Sequence, residues 1–442
     1  MKLVVNTVLA TLVLTSLTST AFAVEVSGML KNQTAYGTAE ETLQQQEWLL
    51  DAEFNRELYQ GDLTAITRVR WDSDSSLNSS QTSSDDSFSN ESAAFKTGKE
   101  GLVELRELYW QLATDDIYWR IGKQQVVWGE ADGLKLLDKI NPQSYREFTL
   151  DNFDDSRIPL WMVNAEINVG EDSVLQALLI TDTTGHELAD SNSPFAFTSP
   201  LLVPQAIEGV PQAPASVPIE IQNAQAPNDG LNDSDVGLRL VSFVSGWDVS
   251  INYLYHYVDT PVVRASLQGN GILVQQEYER SHLLGGSAST SLGQWIVRTE
   301  LAYETDQYLR SETSFPGVIK TDLASYVVGL DWQGWSDQFI SLQVFQSHIL
   351  ENSSQTIQDK QDSKLSFMWE SKFLNETLTL EALALYSIND EDGVNQVNLN
   401  YNYEANIDVY LGFDHFYGDS QGLFGQFDSS DRVIAGLNWG FE

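Results

Sequence analysis

The stretch VNLNYNY (residues 397–403) places Val397, Leu399, Tyr401 and Tyr403 at alternate positions, with Asn398, Asn400 and Asn402 between them. Alternation at period two marks a β-strand whose two faces meet unlike surroundings. A buried amide without partners costs about 2–7 kcal/mol, so the asparagine face asks for water. The fold then turns on what covers the apolar face.

The same period recurs along the chain. Residues 248–257 set Val249, Ile251, Tyr253, Tyr255 and Tyr257 against Asp248, Ser250, Asn252, Leu254 and His256. Residues 161–169 set Trp161, Val163, Ala165, Ile167 and Val169 against Met162, Asn164, Glu166 and Asn168. Residues 295–304 oppose Trp295, Val297, Leu301 and Tyr303 to Arg298, Glu300 and Glu304, and 407–414 oppose Ile407, Val409, Leu411 and Phe413 to Asp408, Tyr410, Gly412 and Asp414. Weaker segments lie at 24–36, 46–57, 62–72, 102–113, 116–126, 173–181, 235–244, 273–286, 321–332, 338–349, 363–373, 377–388 and 431–441. The count is 18, with 16–18 as its range; 102–113 mixes its faces and 273–286 barely alternates.

Connections alternate as well. Tight turns at Gln60-Gly61, Thr114-Asp115, Gly170-Glu171, Gly246 and Leu374-Asn375 interleave with long polar loops at 73–101, 127–160, 182–234 and 259–271. An all-β transmembrane antiparallel barrel does this, with short periplasmic turns on one rim and long extracellular loops on the other. Soluble sandwiches and propellers also alternate, but seldom put such loops on one side only. Tryptophans near strand ends (Trp48, Trp71, Trp161, Trp247, Trp295, Trp332 and Trp369) suit a bilayer interface. In this reading Val397, Leu399, Tyr401 and Tyr403 face lipid and the asparagines face a wide aqueous lumen.

The ends of the chain agree. Lys2, the apolar run from Leu3 to Leu17 and Ala21-Phe22-Ala23 read as a cleaved secretory signal, with 24–442 as a single barrel domain. The last strand holds Gly436, Trp439 and Phe441, spaced like the recognition signal read by the bacterial barrel assembly machinery; Ile434 and Glu442 depart from that pattern. Location in a bacterial outer membrane follows as an expectation.

A net charge of −39, from 63 acidic and 24 basic residues, excludes nucleic acid as a partner. The absence of cysteine excludes thiol chemistry and cysteine-ligated metal. None of the five histidines stands in a hydrolase or zinc motif, so no enzyme activity, cofactor or metal site is expected. The acidic loop at 72–91 has oxygen-rich side chains suited to calcium, without the ligand spacing of an EF-hand.

Residues 120–161 depart from this acidity, since Arg120, Lys123, Lys135, Lys139, Arg146 and Arg157 fall within them. Gly129 and Gly133 mark turns, Leu134, Leu137 and Ile140 have helical spacing, and Asn141-Pro142 is a stop. The loop at 127–160 is expected to fold back into the lumen. Arg68, Arg70 and Arg120 alternate with lipid-facing Val69, Trp71, Trp119 and Ile121, so they point inward. With Lys123, Glu130, Asp132, Lys135, Asp138, Lys139, Arg146, Asp154, Asp155 and Arg157 they form the expected channel-lining, constricting set. The rival reading has equal weight: these charges pair and tie the loop to the wall.

The run IGKQQVVWGEADGLKLLDKINPQSYREF, followed by DDSRIPLWM, resembles a proteobacterial outer-membrane family known as a domain of unknown function (family 1302). The resemblance is specific over 104–170 and implies a large porin-like barrel, in a family discussed beside exporters of lipophilic compounds. The expected function is passive passage of a small solute or lipophilic compound. The alternative is a non-conducting barrel, serving an export system or acting as a surface scaffold or adhesin. Outer-membrane lipid, export-system partners and a small-molecule permeant complete the expected partners.

Overall fold

The computed structural model describes residues 24–74, 87–98, 100–203, 217–224, 226–227, 230–313 and 315–442. The expected signal segment lies outside them, as do most of the acidic loop at 72–91 and residues 204–216 of the long loop at 182–234.

Eighteen antiparallel strands close into one barrel. In chain order they are β1 (Glu25–Gly37), β2 (Thr42–Leu58), β3 (Gly61–Asp72), β4 (Gly101–Ala113), β5 (Ile117–Gln124), β6 (Leu160–Asn168), β7 (Ser173–Ile180), β8 (Asp235–Val244) and β9 (Trp247–Tyr257). The second half comprises β10 (Arg280–Leu292), β11 (Trp295–Arg310), β12 (Val318–Trp332), β13 (Gln338–Ile349), β14 (Gln361–Phe373), β15 (Leu378–Ser387), β16 (Asp392–Glu404), β17 (Ile407–Tyr417) and β18 (Arg432–Phe441). Each strand pairs with its chain neighbour, and β1 pairs with β18 from Gly28↔Phe441 to Gly37↔Arg432, which leaves the wall without a free edge. Both ends of the wall therefore lie at the short-turn rim.

Local chemistry sets the turns. At 245–246 both Ser245 (φ 53°) and Gly246 (φ 89°) are left-handed, the conformation a two-residue hairpin turn requires. The long connections all leave the opposite rim. Along β16, Val397, Leu399, Tyr401 and Tyr403 are exposed on the outside while Val394 is buried on the inside. Trp48 pairs with Trp71 near one rim and Trp295 with Trp332 near the other, two patches of an interfacial belt. The mixed faces of β4 have a cause: its register against β3 shifts between Ile66 and Thr67.

Two expectations need correction. The segment 273–286 is not one strand: Gly271–Glu277 pairs with Val262–Gln268 and Ile219–Gln222 in a separate sheet on the loop side, and the wall strand is β10. Leu134, Leu137 and Ile140 do not form a helix; their backbone runs through bends, and the helical turn in this loop, α1, spans Phe153–Ser156 with Asn152 as its cap. Tertiary packing explains the spacing, because Leu137 and Ile140 are buried against the wall with Leu134 packed beside them.

At β18, a Cβ on Gly436 would stand 2.2 Å from the Tyr410 ring, whose hydroxyl donates to Gln33 Oε1 at 2.7 Å. Glycine is needed there to let the ring cross the strand.

Candidate functional site: a loop held across the lumen

The segment 125–159 leaves β5 at the long-loop rim. Asn141, fully buried, joins its limbs: its Oδ1 accepts from the Val126 amide at 2.8 Å and its Nδ2 donates to the Ile158 carbonyl at 2.9 Å. Inside the barrel the segment meets two walls.

Against the first wall it is largely apolar. Val126, Trp128, Leu136, Leu137 and Ile140 pack on inward side chains of β6 through β13, including Met162, Leu178, Leu254, Leu283, Val327 and Phe345. Trp128 is fully buried, and its Nε1 donates to Gln176 Oε1 at 2.8 Å. Polar pins from β11 and β13 fix the register. The Glu300 carboxylate accepts from the backbone amides of Glu130, Ala131 (2.9 Å) and Leu137 (3.2 Å). Arg298 donates to the Glu130 carbonyl at 2.6 Å and pairs with Asp132 and Asp331. Gln343 donates to Asp132 at 3.0 Å, Lys139 pairs with Glu304 at 3.2 Å, and Glu130 Oε1 accepts from Ser287.

Against the second wall the contact is ionic. Arg68 is bidentate to Asp51 and reaches Asp155 at 2.6 Å. Arg106 donates to the carbonyls of Asp154, Asp155 and Arg157. Arg157 bridges Asp138 (2.7 Å) and Asp154 (2.6 Å). Glu47 holds Arg70 (3.2 Å) and Arg146 (3.5 Å), while Glu147 pairs with Arg432, itself paired with Asp414 at 2.8 Å. Burial opposes ionisation of Asp155, yet Arg68 holds its carboxyl below the usual carboxylate range.

Most of the expected lining residues thus converge on the contact between loop and wall. Two stand apart. The Arg120 guanidinium lies over the Tyr109 ring at 4.9 Å, and Lys123 is buried beyond Gly122, whose positive φ (134°) interrupts the alternation of β5. Sequence reasoning missed Glu300 as the hub of the loop, and Arg106, Arg432, Glu47 and Glu147 as anchors. A signal existed for the apolar wall: Met162 and Leu254 are apolar exceptions on faces otherwise polar.

Among the described residues, two of the cavities that border the loop lie on its opposite sides. One of about 870 Å³ opens toward the long-loop rim; most of its exposed wall is apolar, with Leu134, Phe148, Phe197, Val263 and Phe345, and polar side chains such as Gln143, Asp151, Ser325 and Gln346 also line it. The other, about 180 Å³, lies nearer the short-turn rim among Glu130, Asp132, Asp138 and Arg157. Lys135, Leu136 and Phe153 line both and form the floor between them. Burial pushes the Lys135 ammonium down to about 8 and the Asp151 carboxyl up to about 7, and it raises Asp259 well above the carboxylate range. His186, whose Nδ1 accepts from the Gln143 amide at 2.9 Å, is pushed down to about 3 by burial. Among the described residues no group of three or more His, Asp or Glu side chains is disposed to hold a metal ion.

A family profile matches residues 47–439. The chain belongs to the DUF1302 family, proteins of unknown function. No curated protein matches it. Among solved structures, Acinetobacter baumannii OccAB2 is similar at 11% identity and TM-score 0.52, over 95% of this chain and 98% of its own. Pseudomonas aeruginosa OccK2 (OpdF), solved in complex with glucuronate, is similar at 10% identity and TM-score 0.52, over 96% of this chain and 99% of its own. Pseudomonas aeruginosa OpdK, solved with vanillate, is similar at 11% identity and TM-score 0.51, over 95% of this chain and 100% of its own. The DUF1302 chain shares with them the porin-like barrel fold of outer-membrane proteins.

Proposed function

We propose that this DUF1302 protein is a channel of the bacterial outer membrane, in which the segment 125–159 narrows the lumen and selects small organic solutes that pass down their gradient. The observation that carries this reading is the loop itself. It is gripped at both walls and separates a large apolar cavity from a smaller charged one. An 18-strand barrel is too wide for wall side chains to fill, so a selective passage needs such a device. The solutes named for two neighbours, vanillate and glucuronate, are small organic acids and fit the same size class. Arg120 and the Lys139–Glu304 pair are the charges proposed to act on ions in transit.

Planar-bilayer recording tests the reading. The expected result is a conducting pore whose anion preference falls in Arg120→Ala and Lys139→Ala. A barrel that refolds but neither conducts nor swells liposomes in sugars, amino acids or aromatic acids would place the protein among non-conducting export or scaffold barrels.

A further inference from the structure

The large cavity is built for more than water. Its volume of about 870 Å³ lies within the range of about 300–1,000 Å³ typical of sites for drug-sized ligands. Its wall is mostly apolar in area and carries a small set of polar and charged side chains, among them Lys135, Asp151, Asp259, Asp362 and Lys364, a composition common in small-molecule sites.

Those charges are not equivalent. Lys364 is paired with Asp362. Asp259 is held toward its neutral form by burial, Asp151 is pushed up to about 7 by burial and is half neutral at pH 7, and His186 is uncharged at neutral pH for the same reason. Lys135 differs. Its Nζ donates to the neutral acceptors Gln143 Oε1 and Ser156 Oγ, and it stands 4.4 Å from the centre of the Phe153 ring. Its nearest carboxylate, Asp138 at 3.8 Å, is engaged more closely by Arg157 at 2.7 Å. Lys135 is therefore a cation on the floor of the chamber whose one paired carboxylate, Asp138, is shared with Arg157. A charge in that position strongly favours a ligand that brings one carboxylate and leaves the rest of its surface apolar.

We propose that this cavity is a binding site for an apolar monocarboxylate, with its carboxylate on Lys135 and its body against Leu134, Phe148, Phe197 and Phe345. The assignment deepens the channel reading by naming the class of solute. Binding at Lys135 delivers the ligand to the floor that separates the two cavities, where Leu136 and Phe153 are the remaining barrier. A sugar acid leaves the apolar wall unmatched, and an alkylammonium meets like charge.

Equilibrium dialysis of the full-length barrel, refolded into nanodiscs, tests the site with radiolabelled 4-phenylbutyrate at pH 7, beside 4-phenylbutanol and 4-phenylbutylammonium. The expected result is saturable binding of one equivalent of the acid, at least tenfold tighter than the alcohol, with no saturable binding of the ammonium. Lys135→Met should weaken the acid at least tenfold and leave the alcohol unchanged, while Lys135→Arg retains acid binding. Equal affinity for the acid and the ammonium, or acid binding unchanged in Lys135→Met, overturns the proposal. If the methionine variant does not refold, Asp151→Asn decides, since it removes the other group of this cavity that titrates near neutrality: affinity for the acid should fall as pH rises from 7 to 9.5 while affinity for the alcohol stays level, and a flat acid profile overturns the site. Acid binding without conductance removes the channel and keeps the site; conductance without acid binding does the reverse.

Discussion

The Glu300 carboxylate is the most consequential single support of the in-folded loop. It takes backbone amides from Glu130, Ala131 and Leu137 and is itself almost fully buried. Glu300→Ala leaves three amides without their acceptor, that of Leu137 buried and those of Glu130 and Ala131 partly buried. Each unmet buried donor costs about 1–3 kcal/mol. Local relaxation and water entry recover part of that, so about 3 kcal/mol for the set is a conservative sum. The wall does not depend on these bonds, because β11 keeps its ladders with β10 and β12. The loss therefore falls on the loop's closed state. At about 1.4 kcal/mol per decade, loop opening becomes on the order of a hundredfold more frequent. Hydrogen exchange followed by mass spectrometry in nanodiscs reads this directly: protection at 130–137 should fall by about two decades while strand amides are unaffected. Glu300→Gln keeps one acceptor oxygen and should fall between wild type and alanine. Undiminished protection at 130–137 in Glu300→Ala would refute the reasoning, because the loop would then be held by its apolar face alone.

Three further outcomes are expected. Leu399→Arg should destabilise the barrel by about 2–4 kcal/mol in lipid, whereas Asn400→Arg, one residue along and facing the lumen, should stay near wild type in urea unfolding. Gly436→Ala should slow folding in vesicles through the clash with Tyr410, and the double variant with Tyr410→Ala should recover; failure to recover would support a direct role of Gly436 in the assembly signal with Trp439 and Phe441. Cation preference should rise with pH in two steps, because Asp151 is neutral below about 7 and anionic above it, while Lys135 is cationic below about 8 and neutral above it. Asp151→Asn should remove the lower step and Lys135→Met the upper, read as reversal potential in a salt gradient.

The architecture was legible in the chain because a barrel wall is written locally. Lipid outside and water inside impose period two on each strand, and the two rims impose short and long connections in turn. Hence 17 of the 18 wall strands were placed directly, and the alternation in VNLNYNY separated an exposed outer face from an inner one. The failures came where that rule stops. The segment 273–286 blurred because an external hairpin runs into β10 without a turn-rich break, and Leu134, Leu137 and Ile140 carried a helical spacing with no helix to use it.

By itself the sequence determined a closed amphipathic wall and placed a charged loop at its outer rim. Tertiary structure alone decided the partners. Glu300 meets the amide of Leu137, Arg68 meets Asp155, and Arg432 meets Glu147, pairs separated by tens to hundreds of residues. No local period encodes such contacts. They depend on where a loop of given length lands inside a cylinder, and that position is set by the barrel's curvature and by the shape of its inner wall.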